Sequence, residues 1–153
     1  MSDGIDVQEL RDGEMAVAMP DRTDATLVFI GRIHTPWRTR TDTPKQGRFD
    51  GPLCTIEIFE PWVAGLQGLE QLKHAQVVYW LHQSRRDIVV QSPKHDPKRR
   101  GVFALRSPVR PNPIGISTVE IVGIDGNRVR VRGLDCVDGT PLIDLKPDHC
   151  AFS

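Results

Sequence analysis

Apolar residues recur along this chain mostly with the period of a β-strand. Residues 27–34 (LVFIGRIH) are dense in branched and aromatic side chains and predict a strand, stopped by Thr35-Pro36-Trp37. Residues 53–59 alternate around Ile56 and Ile58, which puts Thr55 and Glu57 on the face away from the core. Residues 75–82 (AQVVYWLH) predict a buried strand, and residues 88–91 a short one. A further strand is expected over residues 102–106, with Val102, Ala104 and Arg106 on one face. Residues 117–124 and 128–134 flank Asp125-Gly126-Asn127 and predict a hairpin. Val129 and Val131 share one face of its second arm, and Arg128, Arg130 and Arg132 the other. Asp138-Gly139-Thr140-Pro141 predicts a turn and residues 142–145 a last short strand. A helical period occurs at Val63, Leu66, Leu69 and Leu72 behind Pro61, where Gly65 and Gly68 leave a short or broken helix. A second short helix is expected around residues 7–10.

These elements define a mainly β fold: six or seven antiparallel strands with one or two short helices. Closing such a sheet into a single-sheeted barrel removes its unpaired edges. The strands do not alternate with long helices, and neither G-x-G-x-x-G nor a Walker-type loop is present, so a Rossmann fold is disfavoured. The 153 residues fit one domain, expected over residues 26–153. Residues 1–25 read as an acidic lead-in, poorly ordered or loosely docked.

One segment departs from the strand pattern. Arg106-Ser107-Pro108-Val109-Arg110-Pro111-Asn112-Pro113-Ile114-Gly115 contains three prolines. Each fixes its own φ, lacks a donor and drives the preceding residue toward extended backbone. The segment is therefore a stiff extended loop, and a stiff loop presents Arg110 and Asn112 to a ligand at low ordering cost.

Charge is balanced overall, with 20 basic and 20 acidic residues, but it is segregated. Residues 1–25 carry seven acids against Arg11 and Arg22; the remainder carries 18 basic and 13 acidic residues. That bias permits an anionic partner without the strong footprint of a dedicated nucleic-acid binder. Cys54, Cys136 and Cys150 are odd in number and widely spaced, and with no secretory signal they fit a reducing cytoplasm. The five histidines show no paired metal spacing, so no metal is expected. Polar residues at strand ends are the candidates for chemistry: Lys45 and Gln46, His82 and Gln83, Arg106, Arg110 and Asn112, Asp138 and Thr140. Asp138 also has an ordinary structural use, bonding the backbone of its own turn.

Taken together, Ile30-Gly31-Arg32-Ile33-His34-Thr35-Pro36, Pro44-Lys45-Gln46, Trp80-Leu81-His82-Gln83, Gly101-Val102-Phe103-Ala104-Leu105-Arg106-Ser107, Arg110-Pro111-Asn112-Pro113-Ile114-Gly115 and Val137-Asp138-Gly139-Thr140-Pro141 occur in this order. The chain resembles the TsaA-like family, whose characterised members are TrmO-type tRNA methyltransferases. The match runs from about Val28 to Pro147. The resemblance implies a β-barrel that binds S-adenosylmethionine, works as a homodimer and N6-methylates N6-threonylcarbamoyladenosine beside the tRNA anticodon. It implies cofactor contacts at Pro44, Lys45, Gln46, His82, Gln83, Arg106, Ile116, Asp138, Gly139, Thr140 and Pro141, with Arg110 and Asn112 beside the site.

Methyl transfer to a ureido N6 needs positioning and the loss of a proton. His82 and Asp138 are the candidates for the base, and Asn112 joins them as a catalytic candidate. Lys98, Arg99, Arg100, Arg110 and Arg130 are the candidates for RNA phosphate. Larger family members carry a second domain after the barrel, whereas this chain stops at Ser153. Two other functions stay open: a cofactor-binding regulatory module without catalysis, and a methyltransferase acting on a small molecule or a protein.

Overall fold

The computed structural model describes residues 9–92 and 98–150. The chain divides into two compact units. One consists of Leu27–Trp80 and Gly115–Ser153; the other takes the described part of Met1–Thr26 together with Leu81–Ile114.

The first unit is built on a closed six-stranded barrel. Its strands are β2 (Gly31–His34), β3 (Cys54–Ile58), β4 (His74–Trp80), β7 (Ile114–Asp125), β8 (Arg128–Arg132) and β9 (Thr140–Pro147), in the order β2-β3-β8-β7-β4-β9. Closure comes from β9, which pairs antiparallel with β2 on one edge and with β4 on the other. The alternation read from the sequence is the burial pattern of these strands. Ile33, Ile56, Ile58, Val77, Val129, Val131 and Leu142 are all at most 2% exposed and fill the barrel, while Thr55, Glu57, Arg128 and Arg130 point outward. The expected hairpin is present, its two arms joined through Asp125↔Arg128 and Gly126 at φ +58°.

Two glycines fix close approaches that no side chain would permit. A Cβ on Gly31 would collide with the Glu57 carbonyl of the neighbouring strand. A Cβ on Gly115 would come within 2.5 Å of the Tyr79 ring. Tyr79 is 5% exposed, and its hydroxyl is bonded to Ser117 Oγ at 2.9 Å and donates to Asp135 Oδ1 at 3.1 Å. Burial, reinforced by the Asp135 charge, pushes the phenol well above its ordinary range.

The second unit holds a three-stranded sheet, β1-β5-β6, made of β1 (Met15–Ala16), β5 (Ile88–Gln91) and β6 (Arg100–Gly101). The lead-in thus contributes a short strand, with Met15 opposite Val90. Ile88, Val102, Val109 and Pro113 are buried among the described residues of this unit.

Several expectations need correction. Residues 102–106 are not a strand: Val102–Ala104 is a 3₁₀ turn. Only Val102 is anchored in the interior, and a single buried residue selects a turn as readily as a strand. The expected helix behind Pro61 is two 3₁₀ turns, Val63–Leu66 and Leu69–Gln71, separated at Gly68 with φ +91°. A fourth 3₁₀ turn, Arg40–Asp42, was not foreseen. The first long strand begins only at Gly31, and the last is longer than expected, Thr140–Pro147. The helix expected near residues 7–10 lies partly outside the described residues, as do residues 93–97 of a basic loop expected over residues 93–101, whose last two residues form β6 instead.

Burial raises the Cys54 thiol to about 11 and the Cys136 thiol to about 12, whereas Cys150 is exposed. Alkylation with iodoacetamide at pH 8 under native conditions should therefore modify Cys150 alone, and all three thiols once the chain is unfolded. Rapid native labelling of Cys54 or Cys136, read by mass spectrometry, would contradict this burial.

Candidate functional site

The end of the barrel at which β2 and β8 finish gathers three of the sequence-predicted segments. The connection between β2 and β3 carries Pro44, Lys45 and Gln46, all exposed. The connection between β8 and β9 carries Asp138 and Gly139 and leads into Thr140 and Pro141 at the start of β9. Because β7 runs antiparallel to β8, Ile116 near its start lies at this end too, and it is 50% exposed.

Specific contacts bind these connections together. Gly47, directly after Gln46, packs so closely on the Gly133 carbonyl that a Cβ would collide with it. The Thr35 hydroxyl donates to the Cys136 carbonyl at 2.8 Å, and the Thr35 amide donates to Asp138 Oδ1 at 3.0 Å. In return the Asp138 amide donates to the Trp37 carbonyl at 2.6 Å and the Gly139 amide to the Ile33 carbonyl at 2.8 Å. Gly139 takes φ +82°, which a side chain would oppose. Thr140 is 1% exposed, and its hydroxyl donates to the Val137 carbonyl at 2.6 Å. Thr140 is therefore an internal brace of the turn, while the Asp138 carboxylate stays exposed at its rim.

This turn has neighbours that sequence reasoning did not single out as site residues. His34 Nε2 lies 3.1 Å from Glu57 Oε2, and His34 Nδ1 lies 3.8 Å from Asp138 Oδ1. The ring thus stands between two carboxylates, one on the adjacent strand and one on the turn. The available signal was that His34 and Glu57 both fall on outward positions of their strands. Their proximity depends on the pairing of β2 with β3, which places His34 opposite Thr55 and Arg32 opposite Glu57.

In the second unit, the turn bearing His82 and Gln83 is fastened to the proline-rich loop. The Leu81 amide donates to the Pro113 carbonyl at 2.6 Å. Arg86 Nε donates to the Pro111 carbonyl at 2.7 Å and Arg86 Nη2 reaches Asn112 Oδ1 at 3.5 Å. His82 is exposed and Gln83 half-buried. Arg110 points back into its own loop: Nε donates to the Ser107 carbonyl at 3.0 Å, Nη2 to the Arg106 carbonyl at 3.3 Å, and Nη1 to the Ile114 carbonyl. A planar fork suits three carbonyls of one bend, and the proline stiffness inferred from the sequence is completed by this arginine. The Arg106 side chain is exposed, as are Lys98, Arg99 and Arg100. The Arg99 stem passes beside Gly13, 3.2 Å from where its Cβ would stand.

Arg130 belongs to the outer face of the barrel wall. Its strand faces Glu120 and Asp125 of β7, and Glu57 of β3 lies opposite Arg128. Arg132 donates to the Gly51 carbonyl at 2.8 Å. The sequence-predicted site residues are thus grouped within each unit: residues 44–46, Ile116 and 138–141 at the barrel end, and His82, Gln83, Arg110 and Asn112 around the proline loop.

A closed antiparallel barrel with a polar, hydrogen-bonded loop end is a fold that presents its chemistry on connections rather than on a glycine-rich phosphate grip. Residues 32–152 match the profile of the tRNA-methyltransferase O N-terminal domain, and the chain belongs to that family. It is 56% identical over 140 residues to a probable S-adenosyl-L-methionine-binding protein, VirR, of Rhizobium radiobacter, covering 92% of this chain and 80% of that one. It is 44% identical over 117 residues to an S-adenosyl-L-methionine-binding protein of Archaeoglobus fulgidus, covering 76% and 84%. Among solved structures, TrmO from Pseudomonas aeruginosa superposes with a TM-score of 0.68 at 31% identity. That likeness covers 84% of this chain but 57% of the TrmO chain, so this protein spans a little over half of that relative's length.

The brace made by Arg110 is open to test. Arg110→Lys keeps the charge but loses the fork, and should lower the unfolding free energy by about 1–3 kcal/mol. Denaturant titration would reveal this as a lower midpoint; an unchanged midpoint would show that the three carbonyls do not need the guanidinium.

Proposed function

We propose that this protein is an S-adenosylmethionine-dependent methyltransferase that N6-methylates N6-threonylcarbamoyladenosine beside the tRNA anticodon, acting in the cytoplasm as a homodimer. The observation that carries this reading is the meeting of residues 44–46, Ile116 and residues 138–141 at one barrel end, in a chain of the tRNA-methyltransferase O N-terminal domain family. Support also comes from a relative of Pseudomonas aeruginosa named as a putative S-adenosylmethionine-dependent methyltransferase, RcsF, 39% identical over 99 residues.

The donor set suits such a cofactor. Its methionine part ends in a carboxylate and an ammonium, which call for a cation and for carbonyl or carboxylate acceptors. Arg106 supplies an exposed guanidinium for the carboxylate. Asp138, with the amides of its turn held in place from Ile33, Thr35 and Trp37, offers an acceptor for ribose hydroxyls. Lys45 and Gln46 stand exposed on the neighbouring connection, and Pro44, His82, Gln83, Ile116, Gly139, Thr140 and Pro141 complete the proposed contacts. When bound, the cofactor supplies an electrophilic methyl group on its sulfonium.

The protein's task is then positioning, which accounts for much of the acceleration of an in-line transfer. The acceptor nitrogen bears a proton that must leave, and His82 and Asp138 are the proposed bases, with Asn112 holding the acceptor. Lys98, Arg99, Arg100 and Arg130 are the proposed phosphate contacts, and Arg110 shapes the loop beside them.

Several relatives are named only for binding the cofactor, so a non-catalytic module is the reading to separate. The purified protein should transfer label from S-adenosylmethionine to tRNA bearing threonylcarbamoyladenosine, and not to tRNA lacking that group. Tight cofactor binding with no transfer to RNA would support the module, and transfer to a small molecule or protein instead would change the substrate class. Arg106→Ala should weaken cofactor binding by about 1.5–3 kcal/mol, as expected for a charge-assisted bond. Calorimetry with unchanged affinity would remove Arg106 from the site.

A further inference from the structure

The second unit contains a recess that the cofactor assignment does not use. It measures about 310 Å³ and is lined by Val102, Phe103, Leu105, Val109, Arg110, Pro111 and Asn112. Small-ligand sites run from about 300 to 1,000 Å³, so this one is sized for a flat ring system rather than for a whole nucleoside cofactor with its amino-acid tail.

Its rim is unusual. Phe103 is 91% exposed, while its neighbour Val102 is 7% exposed and anchors the same 3₁₀ turn. With Val102 held inside, the turn projects Phe103 into solvent. A large aromatic ring left almost wholly in water gains nothing for the fold, and its face is open for a base to stack on. The proline-loop part of the lining is rigid: Pro111 fixes its own backbone, and Arg110 ties the loop to the carbonyls of Arg106, Ser107 and Ile114. Asn112 adds a carboxamide, which presents a donor and an acceptor side by side, the pattern that matches the edge of a base.

The surrounding charge selects the occupant. Residues 98–110 contain Lys98, Arg99, Arg100, Arg106 and Arg110 and no acid. An aromatic platform inside a cationic stretch is the arrangement by which proteins hold single-stranded nucleic acid, stacking a base while cations follow the phosphates.

We propose that this recess receives one unstacked nucleobase of a single-stranded RNA, stacked on Phe103 and read on its edge by Asn112. The inference deepens the RNA-directed reading above and assigns Phe103 as a substrate-binding residue distinct from the cofactor contacts. A stiff recess of this kind would register the RNA strand by holding one base in a fixed place.

The test uses the full chain and a fluorescein-labelled anticodon-loop oligonucleotide followed by anisotropy. Phe103→Ala should weaken binding roughly five- to 150-fold, the range that one stacked base contributes. The dependence of affinity on salt should keep its slope, because no phosphate contact is removed. Phe103→Trp should retain affinity, and the added indole should be quenched when RNA binds. Cofactor affinity should be the same in all three proteins. A 91% exposed position tolerates these changes without loss of fold, which a circular dichroism spectrum checks.

Phe103→Ala binding RNA as tightly as the wild type, or an indole that does not respond to RNA, would overturn the proposal. So would a change of association state in light scattering with RNA affinity intact, since Phe103 would then be a contact between copies of this chain. The two readings fail separately. RNA binding that depends on Phe103 in a protein that transfers no methyl group supports the recess and removes the methyltransferase. Methyl transfer to RNA that is indifferent to Phe103 does the reverse.

Discussion

The barrel depends on β9 being hydrogen-bonded along both edges. A sheet of short strands has two open rims, each a row of unpaired amides and carbonyls. Here one strand closes both, pairing Gly31, Arg32 and Ile33 with Leu142, Pro141 and Thr140 on one side and residues 75–79 with residues 142–147 on the other. Pro141 has no amide to give, yet it stands opposite Arg32 within the β2 pairing, so the ladder there is carried by its neighbours. Closure has a consequence for the site. It fixes where β9 begins, and the Asp138 turn is the segment that delivers the chain to that start.

That turn is held more tightly than a surface connection needs to be. Amides of Asp138 and Gly139 donate backward to Trp37 and Ile33, the Thr35 amide and hydroxyl donate forward to Asp138 and Cys136, and Thr140 closes the turn from inside. Reciprocal bonding of this kind removes backbone freedom before any ligand arrives, so little ordering cost is left for binding. The exposed Asp138 carboxylate is then a fixed acceptor, and the His34 ring, 3.8 Å from it and 3.1 Å from Glu57, couples its surroundings to the barrel wall.

What could be read from the chain, and what could not, follows from the range of the interactions. The alternation in Cys54–Ile58 and Arg128–Arg132 is a local consequence of the strand period, and the Asp125-Gly126-Asn127 turn joins the second of these to its neighbour. These were legible. The pairing of β9 with β2 and β4 links residues far apart in sequence, and no local pattern encodes it. Val102–Ala104 misled for the opposite reason: branched and aromatic residue types suggested a strand, but Phe103 faces water rather than a sheet neighbour. The His34–Glu57 contact was hidden because register must be known before outward residues on two strands can be placed together. Arg110 was legible as a residue presented by a stiff loop, but its bonds to three carbonyls of that loop were not.

A net charge of zero hides where an anion would be attracted. The arginine row of β8 looks strongly basic in sequence, but the fold sets Glu120 and Asp125 of β7 beside it on one side and Glu57 of β3 on the other. The potential of the wall is thereby partly cancelled at short range, and at physiological ionic strength screening reduces it further within about 8 Å. Residues 88–114 differ, holding six cations and one acid. They include the segment in which Phe103 stands exposed. A concentration of basic residues in one stretch, rather than their even spread along the chain, is what gives a protein of neutral total charge a defined place to meet a polyanion.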